Sequence, residues 1–205
     1  RWQPKLIAFT HILTLGFFLM IMFGALTQVL PVLTGRGLSR VDKLAPRIHL
    51  LLFFGVVIFP LNFVVKDPFV LLLSLTPLLL ACVIMLLSLT YLFRQKAVSN
   101  LSIKAIRFAL LGLLITLLTG LTQLFTFQYP SLPPLVIGKG MTNLHLMWGL
   151  IGWINGLIIA VSFQVIPMFH VTPDFPRWLK RYWPFTLFLS LVGLIDWVNR
   201  KCRSN

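Results

Sequence analysis

Residues 69–93, FVLLLSLTPLLLACVIMLLSLTYLF, carry no charged side chain over a length that crosses a bilayer as a helix. At about 1.5 Å per residue, some 20 residues cover the roughly 30 Å of hydrocarbon. Similar runs recur at roughly 6–34, 48–65, 105–127, 142–169 and 182–198. They are too long for barrel strands and lack barrel alternation. In lipid a helix satisfies its backbone polar groups within the segment, so helices are the structure that fits. The expected fold is all-α: a polytopic transmembrane bundle of about six helices, one membrane domain over residues 1–205. Pro60 predicts a kink in the second run. The sixth run, opened by Pro184 and closed by Asp196, either crosses or re-enters; six crossings are expected. The chain begins at Arg1, as a fragment or a processed chain would.

Composition excludes a soluble domain: 58% of residues are hydrophobic and the mean hydropathy is +0.93. Eighteen Lys and Arg stand against four acidic residues, for a net charge of +14. In a soluble chain that excess would suggest nucleic acid. Here the cations sit between apolar runs, where they set topology and meet anionic headgroups, so the expected partner is the bilayer and not nucleic acid. Connectors 35–47, 94–104 and 170–181 hold Arg36, Arg40, Lys43, Arg47, Arg94, Lys96, Lys104, Arg177, Lys180 and Arg181, which predicts them cytoplasmic. Arg200, Lys201 and Arg203 fit that rule only if the sixth run re-enters. Connector 128–140, rich in Pro and Gly, is expected to be irregular. Cys82 lies in a span and Cys202 in the tail, too different in depth for a disulfide or a shared metal.

The first and fifth runs resemble each other. Gly16-Phe17 is followed by Gln28 and Pro31, and Gly152-Trp153 by Gln164 and Pro167, at identical spacings. The two lie four helices apart in order, with three between them, which predicts a parallel repeat of four-helix period. His11 precedes its glycine by five residues and His145 by seven, so Met147 holds the position equivalent to His11. Gln28 and Gln164 stand where a proline frees a backbone carbonyl, and either cap it or bond a cofactor propionate.

The histidines sort by depth into two pairs. His11 and His145 lie near the non-cytoplasmic end, and His49 and His170 at the opposite boundary, where contact with headgroups or water is expected. Polar groups in a membrane helix usually face the bundle interior. Two imidazoles at one depth can bind a haem iron from both sides, or make structural hydrogen bonds. Gly149, Gly152 and Gly156 lie along the His145 helix at intervals of three to four residues. Such a groove admits either a porphyrin edge or a neighbouring helix. Thr116, Thr119, Gln123 and Thr126 form a polar stripe expected to face inward and bond its own backbone. No paired intramembrane carboxylates, phosphate-binding loop, zinc-protease motif or nucleophile triad is present. No catalytic residue is assigned, and enzyme activity stays open. A small transporter lacks support, for want of intramembrane charge and inverted repeats.

The opening stretch has the form H-x4-G-F-x6-G-x6-P-x2-T-G, at His11, Gly16, Phe17, Gly24, Pro31, Thr34 and Gly35. It resembles a motif of the NnrS family, bacterial membrane haem proteins linked to nitric-oxide stress. The fifth run, HLMWGLIGW through QVIPM, resembles the His-bearing helices of the haem–copper oxidase subunit I group. The resemblance implies haem b, the bacterial cytoplasmic (inner) membrane, redox or nitric-oxide biology, and His11 and His145 as iron ligands. Gly149 and Gly152 would line the cofactor, with His49, His170, Met147, Gln28 and Gln164 as secondary candidates. Those families have about twelve helices, twice the number here, and an oxidase copper centre needs more convergent histidines. The alternative expectation is a cofactor-free membrane subunit that packs in or assembles a larger respiratory complex.

Overall fold

The computed structural model describes residues 3–35, 37–94, 101–129 and 139–204. Arg1, Arg36, Lys96 and most of connectors 94–104 and 128–140 lie outside the described residues. Six helices run through the rest. Helix α1 is built from Pro4–His11, a π-helical segment Ile12–Leu19, and Met20–Thr34. Helix α2 covers Val41–Ile58 and tightens into a 3-10 turn at Phe59–Phe63. Helix α3 is Pro68–Arg94 and α4 is Leu101–Gln128. Helix α5 joins Lys139–Met147, a second π-helical segment Trp148–Asn155, and Gly156–His170. Helix α6 is Arg177–Ser204. The chain is thus all-α among the described residues. Five helices are long and apolar enough to cross a membrane, the architecture of a multi-pass membrane protein.

The ends follow from local chemistry. Pro4 opens α1, where its missing N–H costs nothing. Gly35, at φ 65°, closes it in the left-handed region, with its N–H donated to Pro31 O at 2.8 Å. Helix α2 starts at Val41, seven residues before the apolar run, with Asp42 in its first turn. Charged residues form helix readily outside hydrocarbon, so hydropathy alone starts the element too late. At Pro60 the predicted kink takes the form of the 3-10 turn. Helix α6 runs through Pro184 and is 28 residues long in all, about 42 Å, but it is not among the five apolar helices.

The chain forms two compact units, Arg1–Val98 and Ser99–Asn205. In the first, α1 buries Leu19, Phe23, Leu26 and Leu30, a stripe at helical spacing. Ile48 and Leu52 of α2 and Leu78, Cys82, Met85 and Leu89 of α3 form the matching stripes. Their opposite faces expose Phe53, Phe54, Phe69, Leu72 and Leu87, apolar surface that a lipid environment explains and water does not. In the second unit α4 packs along the whole of α5, and α6 packs against both.

The repeat continues into local structure. Segment Trp148–Asn155 begins 136 positions after Ile12–Leu19 (148 less 12), and both are eight residues long. Each is followed by a 15-residue α-segment ending in a left-handed residue, Gly35 or Val171. The next helices start at Val41 and Arg177, again 136 apart (177 less 41). The correspondence therefore extends from the π segments to the starts of the helices that follow, beyond the single helix that the sequence pattern marked. Two π segments at matching places stand out, because π-helix is well under about 1% of residues in ordinary proteins.

Candidate functional site

In the first unit His11 closes the α-helical opening of α1, directly before the π segment. Its Nδ1 lies 2.8 Å from Ile7 O. A carbonyl only accepts, so this nitrogen carries the proton and Nε2 is the basic one. The ring leans on Phe59 and Phe63, with centroids 5.4 and 5.2 Å away. The 3-10 turn at the end of α2 thus sets the imidazole's position. A straight α-helical end would present a different pair of side chains.

Because α2 begins at Val41, His49 is two turns inside the helix and half-buried. Its Nδ1 is 2.8 Å from Ala45 O and its Nε2 is 3.1 Å from Met20 O, the residue that follows the π segment. This histidine latches α2 to α1. His170 is exposed at the last position of α5.

In the second unit His145 stands three residues before its π segment and is half-buried. Its Nδ1 lies 3.0 Å from Thr116 O and 3.3 Å from Thr119 Oγ1, both on α4. The same reasoning makes Nδ1 the donor. Gly120 leaves the room for this ring: a Cβ there would stand 2.8 Å from the imidazole Cε1. Three residues further back on α5, Thr142 donates to Gln123 Oε1 at 2.8 Å. The polar stripe of α4 faces α5, and its threonines also bond their own backbone, Thr116 to Gly112 O and Thr126 to Thr122 O.

Gly149 and Gly152 sit where α4 crosses. A Cβ on Gly149 would meet Thr116 Cγ2 at 3.2 Å, and a Cβ on Gly112 would meet the Gly152 carbonyl carbon at 2.7 Å. This face is filled by a helix, because the two backbones approach too closely for any side chain at Gly112. Met147 is half-buried, Gln28 exposed and Gln164 half-buried. Among the described residues no group of three or more His, Cys, Asp or Glu is placed to hold a metal ion. The sequence reading missed the π segments and the His49 latch; neither has a residue pattern that announces it.

No protein-family model, curated protein or solved structure matches this chain.

Proposed function

We propose that the chain is an integral-membrane haem-binding protein of the bacterial cytoplasmic membrane, redox or nitric-oxide-related, with His11 and His145 as iron ligands. One shared observation carries the reading. Both histidines stand at the entry of a π-helical segment with Nδ1 committed to a backbone carbonyl. Ligating histidines are typically oriented through the other ring nitrogen in this way, and π segments occur frequently at functional sites.

Haem iron takes only axial ligands from the protein, and an imidazole is one such ligand. Bound haem would supply one-electron and diatomic-gas chemistry. Ile7 O, Phe59 and Phe63 would orient the His11 ring, and Thr116 O and Gly120 the His145 ring. Gly149 and Gly152 serve packing against α4 in this reading. The basic connectors face the cytoplasm by the positive-inside rule.

Alanine variants of the four histidines test it. His11→Ala and His145→Ala should each bleach or shift the haem spectrum, while His49→Ala and His170→Ala leave its band positions in place. A spectrum indifferent to both His11 and His145 would sink the assignment.

A second reading has its own observation in its favour. The His145–Thr116 and Thr142–Gln123 bonds join α4 to α5 as structural glue does. On that reading the chain is a cofactor-free subunit of a larger membrane complex. His145→Ala then lowers stability or co-purification, with no chromophore to lose.

A further inference from the structure

The first unit holds a cavity of about 380 Å³ at one tip of its three helices. Ser39 from the α1–α2 connector, Leu44 from the first turn of α2, and Ser88 and Tyr91 from the last turns of α3 line it. We propose that this cavity binds the phosphate-bearing headgroup of an anionic membrane lipid.

Charge is the first argument. Arg40 adjoins Ser39 in the chain and Lys43 adjoins Leu44; Arg47 follows one turn on, and Arg94 ends α3. Asp42 is the one acid among the described residues of this tip. The four cations are exposed, so their long side chains can swing over the mouth. Their charge draws an anion toward this tip, and salt weakens such attraction beyond roughly 8 to 10 Å.

The lining is the second argument. Ser39 and Tyr91 offer hydroxyl donors to phosphate oxygens. Ser88 spends its proton on Ile84 O at 2.7 Å, which leaves its oxygen to accept from a headgroup hydroxyl. The volume is near the lower limit of about 300 Å³ for small-ligand sites, enough for a headgroup and too small for a whole lipid.

Apolar surface beside the mouth favours a lipid over a free anion. Beside the mouth, Tyr91 and Leu87, one turn apart on α3, are exposed at 61% and 65%. They continue from the headgroup level onto the apolar flank of a helix fit to cross a membrane. An acyl chain attached to the bound phosphate has a surface to follow; an inorganic phosphate gains nothing from it. Basic pockets between helix ends are a recurring site for anionic headgroups.

Native mass spectrometry of delipidated protein in detergent tests this, with phosphatidylglycerol and phosphatidylcholine as probes. Phosphatidylglycerol should be retained on the order of tenfold more strongly, and the double variant Lys43→Gln/Arg94→Gln should remove most of that preference. Ser88→Leu fills the cavity with every charge intact and should cut retention similarly. Lys5→Gln, at the far end of α1, should not. The thermal midpoint in phosphatidylcholine micelles checks folding, and Ser39→Leu replaces Ser88→Leu if that variant unfolds. Equal retention of both lipids would overturn the proposal. So would wild-type retention by the cavity-filling variant, which reduces the effect to diffuse charge. Full displacement by millimolar inorganic phosphate would mark a free-phosphate site and overturn the lipid assignment.

Discussion

The Nδ1 of His145 lies 3.0 Å from the carbonyl oxygen of Thr116 on the neighbouring helix, with Gly120 one turn further along that helix making room for the ring. The imidazole is thus both a donor between helices and a plug in a groove. His145→Gln keeps a donor within reach of Thr116 O and should cost under about 1 kcal/mol, since such bonds in membranes average about 0.6. His145→Ala loses the donor and leaves a void, and should cost about 2 kcal/mol. Unfolding in mixed detergent micelles measures both; equal losses would mean that the hydrogen bond contributes nothing.

Glycines give a graded test of the second unit's packing. A Cβ at Gly112 would meet the Gly152 backbone at 2.7 Å, at Gly120 the His145 ring at 2.8 Å, and at Gly193 nothing within 4 Å. Backbone cannot step aside and a side chain can. Gly112→Ala should therefore cost the most, about 2 to 3 kcal/mol, and Gly120→Ala less, with the ring displaced. Gly193→Ala should gain up to about 1 kcal/mol from helix propensity. The order of thermal midpoints is the readout, and it reverses if α4 and α5 are not in close contact at Gly112.

The long apolar runs made the helices legible, and the threonine stripe of α4 announced its inward face. The repeat was legible at Gly16, Gln28 and Pro31 because these residues shape backbone. The π segments were not, since Ile12–Leu19 and Trp148–Asn155 are as α-compatible as their surroundings. The start of α2 was hidden because Asp42, Lys43 and Arg47 break the apolar run over residues 41–47, and hydropathy does not register a helix outside the hydrocarbon. The partner of His145 was invisible for another reason: Thr116 O is a backbone atom, and backbone acceptors leave no mark in a residue pattern. At Gly149 and Gly152 the same small residues serve a flat ligand or a helix, and only the position of α4 decides between them.

The π segments yield a further prediction. Deleting Leu13 shortens the eight-residue segment Ile12–Leu19 and lets it rewind as α-helix. Helicity by circular dichroism should hold, because α-helical hydrogen bonds have the better geometry. The placement of His11 relative to residues 20–34 should change. A deletion variant that retains the wild-type haem spectrum would show that the segment does not aim the histidine.

The absorption spectrum of the purified chain, expressed with ample haem, tests the haem reading most directly. With haem bound, a Soret band survives purification and sharpens on reduction, with α and β bands of a b-type haem. Folded protein with no Soret band would contradict it.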